Sequence, residues 1–347
     1  MIGRAVVLAL ALVLVAAAPP GNGPLRGINL SGAELNPDKL PGHVGQDYIY
    51  PTHAELDQAK AAGMTVIRLP VLWERLQPAL FGPLDQAELG RVRAMTDEAA
   101  RRGLRVIIDA HDYGTYRGTP VGSAGVPVDA FAAFWGRMAG AFAADPSVIF
   151  GLMNEPHEIE ATHWARAEQA AIDAIRGAGA RNLVLVSGTG WDGAHNFVSG
   201  KGYGEPNAVA LASLRDPADN IAFEVHQYLD PDHSGTHPEC MTPEAANRVL
   251  APFTDWLRAG GRRGFLGEVG AAATPQCLAS LTALLDQVNA NPDAWLGWAY
   301  WAAGPWWGEY MFSIEPKDGR ERPQMAALRR LAETGQPRTG RREAGRD

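Results

Sequence analysis

Short apolar runs alternate with amphipathic stretches along nearly the whole chain. Runs over 25–30, 65–69, 105–109, 148–154, 183–187, 221–226, 264–268 and 296–301 have strand length and predict buried strands. Between them, apolar residues recur at helical spacing over 53–62, 84–102, 130–144, 164–178, 243–259 and 277–290, which predicts amphipathic helices. Gly63, Gly103, Gly179 and Gly260 stand where these helical patterns stop, the residue type that most readily closes a helix. The link over 188–220 is turn-rich and carries only a weak helical signal.

Strand and helix alternating about eight times imply a parallel sheet. Residues 24–333 run without a linker or a break in composition, so the expectation is one α/β domain, a closed (β/α)8 barrel. A doubly wound open sheet is the alternative. No glycine-rich dinucleotide or P-loop signature follows any strand, which weighs against it. Residues 334–347 are rich in Arg and Gly, lack an apolar period, and are expected to form a disordered tail.

At the other end, Arg4 precedes an apolar run over 5–15, and Ala16, Ala17 and Ala18 supply small residues after it. That order predicts a secretory signal peptide over 1–18, cleaved on export to an extracellular location. The run is too short to span a bilayer comfortably, and a retained anchor is the alternative. Export allows Cys240 and Cys277 to pair, which would stabilise the fold by about 3–4 kcal/mol; two free thiols are the other reading. A hydrophobic share of 46% excludes global disorder, and a net charge of −8 without a long basic run argues against nucleic acid or anionic membrane as partner. Ten Trp exceed the needs of a core, and indoles suit flat apolar ligand faces such as those of sugar rings.

The chemistry gathers at the strand ends. The fourth run stops on Asn154-Glu155-Pro156, where Pro forbids further pairing and leaves a carboxylate at the strand mouth. Arg68 ends the second strand, Asp109, His111, Asp112 and Tyr113 the third, His226, Gln227 and Tyr228 the sixth, Glu268 the seventh and Trp301 the eighth. Burying so many polar groups on one rim costs stability unless they are paired or used. Glu155 and Glu268, from opposite sides of the barrel mouth, are the minimum equipment for cleaving a glycosidic bond. One gives a proton to the leaving oxygen and the other attacks or assists. Arg68 is expected to hold Glu268 ionised, with Tyr228 donating to it.

The segments Gly27-Ile28-Asn29-Leu30-Ser31-Gly32-Ala33-Glu34, Ile67-Arg68-Leu69-Pro70, Ile108-Asp109-Ala110-His111-Asp112-Tyr113, Leu152-Met153-Asn154-Glu155-Pro156-His157, Glu224-Val225-His226-Gln227-Tyr228-Leu229-Asp230, Leu266-Gly267-Glu268 and Trp301-Ala302-Ala303-Gly304-Pro305-Trp306-Trp307 come in the order seen in one family. Across essentially the whole mature chain the sequence resembles glycoside hydrolase family 5, a family of retaining (β/α)8 enzymes, and its endo-β-1,4-glucanase (cellulase) branch above all. The resemblance implies Glu155 as acid/base and Glu268 as nucleophile. It also implies Asn154 on the sugar 2-hydroxyl, Trp301 under the −1 sugar, and Arg68, His111, His226 and Tyr228 in support. A disulfide between Cys240 and Cys277, which follow the sixth and seventh strands, is implied as well. The family often has His-Asn-Tyr after the third strand; Asp112 departs from that.

The implied function is a secreted retaining endo-β-1,4-glucanase acting as a monomer on cellulose-type β-glucan, with no cofactor and no metal. Mannan, xyloglucan or mixed-linkage glucan is the alternative substrate, and a glucan-binding protein on an inactive barrel is the non-enzyme alternative. Asp230, Asp232, His233 and His237 carry metal-ligand side chains, but Pro231, Ser234-Gly235 and Pro238 make that stretch a loop. Ser187-Gly188 and Ser199-Gly200 lack the Gly-x-Ser-x-Gly elbow of a serine hydrolase. Trp73, Trp191, Trp306 and Trp307 are candidate sugar platforms, with Trp306-Trp307, between Pro305 and Gly308, favoured.

Overall fold

The computed structural model describes residues 23–200 and 204–334. Eight parallel strands close into one barrel: β1 Leu25–Leu30, β2 Val66–Val71, β3 Arg105–Ala110, β4 Val148–Gly151, β5 Val184–Val186, β6 Ile221–His226, β7 Gly264–Glu268 and β8 Trp295–Ala303. Each pairs with its neighbours in sequence, and β8 closes onto β1, so the (β/α)8 expectation holds. The expected signal peptide over 1–18 lies outside the described residues, as does the expected tail beyond Thr334. Among the described residues, no helix is long and apolar enough to cross a membrane.

Side chains alternate along a strand, so every second residue enters the barrel. Leu25, Val66, Ile107, Ile149, Leu185, Ala222, Phe265 and Ala299 form one apolar cluster there. Two residues further along their strands come Arg68, Asp109 and Glu224, whose side chains meet in ion pairs. The barrel therefore changes from an apolar floor to a charged layer just below its carboxyl-terminal mouth. Gly267 makes room for that layer, since a Cβ there would collide with the Glu224 carboxylate. The outer faces of the strands pack with the helices into the larger core, around Trp73, Trp135, Trp164 and Trp298.

Boundaries moved where local chemistry decided them. Regular pairing of β4 ends at Gly151, three residues before the expected end. Leu152 N–H then donates to Leu185 and Asn154 N–H to Ala110, at 3.1 and 2.8 Å, one bond to each neighbouring strand. The helix expected over 84–102 spans Gln86–Arg101, because the Asp85 side chain accepts the Glu88 N–H at 2.8 Å and caps it. The stretch 243–259 splits into Pro243–Val249 and Ala251–Ala259, with Pro252 starting the second helix where a missing N–H costs least. Gly63, Gly103 and Gly179 take positive φ at helix ends, whereas after the fourth it is Gly261, not Gly260, that does so. The weak helical signal in 188–220 corresponds to the short Asn207–Ala210 and Leu211–Ser213 turns. A hairpin of Thr115–Tyr116 and Thr119–Pro120, a one-turn helix Trp73–Leu76 and a last helix Pro323–Thr334 had not been expected. Cys240 and Cys277 form a disulfide that ties the loop after β6 to the helix Pro275–Ala290.

Candidate active site

Arg68, fully buried on β2, is the centre of the charged layer. Its Nε donates to Glu224 at 2.8 Å and Nη1 to Glu268 and Asn29, each at 3.0 Å. Nη2 donates to the Asn154 side chain at 2.8 Å. Asp109 lies 3.0 Å from Nη1 and also bonds His111 Nδ1 at 2.8 Å. Burial disfavours the guanidinium charge, but Asp109, Glu224 and Glu268 together raise its pKa. One cation thus sets the positions of residues from five strand ends. Fork geometry makes Arg, and not Lys, suited to that task.

Glu268, the last residue of β7, has both oxygens occupied. Oε1 accepts from Arg68, and Oε2 accepts the Tyr228 hydroxyl at 2.6 Å. Glu155 follows β4 in the left-handed region, with φ of 46°. Its Oε1 meets His226 Nδ1 at 2.8 Å, and its backbone N–H donates to Asp192 at 2.8 Å. Oxygen atoms of Glu155 and Glu268 and a ring nitrogen of His226 lie within 4.8 Å of one another. Three such donors could reach one cation by distance alone. The Glu268 oxygens are already committed to Arg68 and Tyr228, an arrangement built for carboxylate chemistry instead.

Burial pushes the Glu268 carboxyl above its ordinary value; His226 and Arg68 oppose this and Glu155 adds to it. Arg68 is therefore only one of several influences on Glu268, and the expectation that it simply holds the group ionised was too narrow. Burial lowers the His226 imidazole, yet Glu268, Glu155 and Glu224 carry it well above its usual value. Burial and Glu268 push the Tyr228 phenol well up, so it serves as a donor. Burial resists the charge on Glu224, but Arg68 and His226 hold its carboxyl low. Asp112 accepts the Trp73 N–H at 2.9 Å, and burial and the adjacent Glu74 push its carboxyl well up. A carboxyl disposed to keep its proton stands where the family often has a neutral amide.

Two cavities lie beside the strand ends, and Tyr113 lines both. One, of about 690 Å³, is lined by His111, Asp112, Tyr113, Trp301, Trp307 and Glu34 among others. The second, of about 720 Å³, contains Glu155, His226, Tyr228, Trp191, His195 and His233. Trp301 ends at the first, stacked against His111 with ring centres 5.5 Å apart, and Trp307 packs edge-on against it at 5.7 Å. Trp306 is 41% exposed and lines neither cavity. Trp191 is 47% exposed, stacks on His157 at 3.6 Å, and lines the second cavity with it. Trp73 is fully buried. Asp230 accepts the Gly235 and Thr236 N–H groups at 3.0 Å each, so it shapes the loop after β6.

Asn29, Glu224 and Asp192 had been assigned no role from the sequence. Glu224 could have been found, since a carboxylate inside a buried strand, two residues before His226, needs a buried cation. Asp192 could not, because the turn-rich link that carries it has no period to place it.

The family model for cellulase (glycosyl hydrolase family 5) matches residues 28–304. An endo-beta-1,4-glucanase structure from Xanthomonas axonopodis pv. citri is 45% identical and covers 89% of this chain and 98% of that one, with a TM-score of 0.87. The endoglucanase of Pseudomonas stutzeri solved with cellobiose is 34% identical, covers 90% of this chain and 95% of that one, and has a TM-score of 0.83. Endo-beta-1,4-glucanase A of Emericella nidulans is 35% identical over 318 residues, 91% of this chain and 94% of that protein. With the barrel, the buried arginine hub and the paired glutamates in place, the chain belongs to the cellulase family, glycosyl hydrolase family 5.

Proposed function

We propose that the protein is a retaining endo-β-1,4-glucanase that cleaves internal bonds of cellulose-type chains. The observation that carries this is the approach of a Glu155 oxygen and a Glu268 oxygen to within 4.8 Å at the barrel mouth. Retaining glycosidases hold their carboxyl groups about 5–5.5 Å apart, whereas inverting ones leave about 6.5–9.5 Å for a water. Glu268 attacks the anomeric carbon while Glu155 gives its proton to the leaving oxygen. The resulting ester is then cleaved by a water that Glu155 deprotonates. His226, whose Nδ1 lies 2.8 Å from Glu155 Oε1, helps to hold the acid/base side chain in place.

Arg68 and Tyr228 hold Glu268 in line. Asn154, itself held by Arg68, receives the sugar 2-hydroxyl, and Trp301 with His111 supports the −1 ring in the first cavity. Trp191 offers a platform to the leaving side of the chain, and Trp306, further out, a contact for longer chains. The names of the relatives, endo-β-1,4-glucanases, support attack within a β-1,4-glucan chain. Export with loss of residues 1–18 suits a polymeric substrate, and the disulfide accords with an oxidising location.

A hydrolysis panel of carboxymethyl-cellulose, lichenan, mannan and xyloglucan tests the substrate. The expected result is a rapid fall in viscosity on carboxymethyl-cellulose. Preference for mannan or xyloglucan would move the activity to another β-glycan, and no hydrolysis of any would leave a glucan-binding protein on an inactive barrel.

A further inference from the structure

Asp192 follows β5, is completely buried, and has no part in the double displacement itself. Its Oδ2 accepts the backbone N–H of Glu155 and its Oδ1 that of Gly188, both at 2.8 Å. The Asp192 carbonyl accepts the His226 N–H at 2.7 Å, and the preceding Trp191 N–H donates to Pro156 at 3.1 Å. Two consecutive residues thus grip both members of the Glu155–His226 pair through their backbones. Glu155 needs such a grip. Its φ of 46° is a conformation that side-chain-bearing residues rarely adopt and that persists only where the surroundings impose it.

We propose that Asp192 is the positioning residue of the acid/base: its carboxyl group fixes the left-handed backbone at Glu155 and so aims that side chain at the glycosidic oxygen. Burial pushes the Asp192 carboxyl well above its ordinary value while His226 opposes that rise, so what fixes Glu155 is the geometry of two accepted N–H bonds and not charge. Because its two oxygens serve two different N–H groups, an amide in its place satisfies only one of them. Asp192 touches no substrate and acts through Glu155, so the proposal rests on Glu155 being the acid/base.

The test compares substrates that do and do not need a proton on the leaving group. Asp192→Asn and Asp192→Ala are assayed for kcat/KM, which reports the first chemical step, on cellopentaose and on 2,4-dinitrophenyl β-cellobioside. The expected result is a loss of about 10- to 100-fold on cellopentaose, as small misplacements of catalytic groups cause, with the activated substrate nearly unchanged. Equal losses on both substrates would reduce Asp192 to a structural part, and no loss on either would remove it from the mechanism; each overturns the proposal. Glu155→Ala is the reference. If it shows no such split between substrates, the acid/base reading fails, and the Asp192 proposal falls with it.

Discussion

Arg68 donates to Glu268 at 3.0 Å while the same guanidinium binds Asn154 at 2.8 Å, so one side chain registers the attacking carboxylate against the amide beside the acid/base. Arg68→Met would remove the guanidinium that meets Asp109, Glu224 and Glu268 at once, leaving their charge to the neighbouring His111 and His226. A loss of about 3–5 kcal/mol in chemical denaturation is expected, the cost of stranding buried charges. A loss under about 1 kcal/mol would mean that the carboxylates do not depend on Arg68.

The acidic limb of activity follows Glu268, which must be ionised to attack. Burial raises its carboxyl, and His226 is the foremost neighbour opposing that rise. The limb is therefore expected above the ordinary glutamate range, and His226→Gln should move it to still higher pH. On 2,4-dinitrophenyl β-cellobioside, where protonation of the leaving group is not needed, the shift reports Glu268 alone. A shift to lower pH would contradict the assignment.

Glu168 gives a pH signature in stability. It is fully buried behind β5, and burial carries its carboxyl up to about 8, against the pull of the Ser187 N–H and hydroxyl. The folded state then keeps a proton that the unfolded chain has already released. The contribution of Glu168 to stability should be highest below the ordinary glutamate value, fall as pH rises from there to about 8, and level off above. Glu168→Gln should flatten that decline; an unchanged profile of melting temperature against pH would show that another group is responsible.

Reduction of the Cys240–Cys277 bridge, whose ends are 37 residues apart, is expected to cost about 3–4 kcal/mol through loop closure. That corresponds to a fall of roughly 5–6 °C in Tm for a domain of this size. Scanning calorimetry with and without reductant measures it, and an unchanged Tm would mean that the bridge closes a loop that is already ordered in the unfolded chain.

Much of this architecture was legible in the chain because parallel barrel strands are buried on both faces and stand out as apolar runs. Arg68, Glu155 and Glu268 were legible for the opposite reason, as charges at the ends of those runs. What escaped was set by contacts distant in sequence. The Trp73–Leu76 turn is fixed by Asp112 across 39 residues, and Asp192 meets Glu155 across 37. Trp306 and Trp307 are indistinguishable by composition, yet of the two only Trp307 lines either of the cavities described above, because the turn after β8 packs it edge-on against Trp301.

The close approach of Glu155 and Glu268 carries the account, and the stereochemistry of the first product tests it most directly. Proton NMR of cellopentaose hydrolysis, followed from the first minutes before mutarotation, should show newly formed reducing ends in the β configuration. α-Configured ends at the outset would require a single displacement by water and would contradict Glu268 as nucleophile.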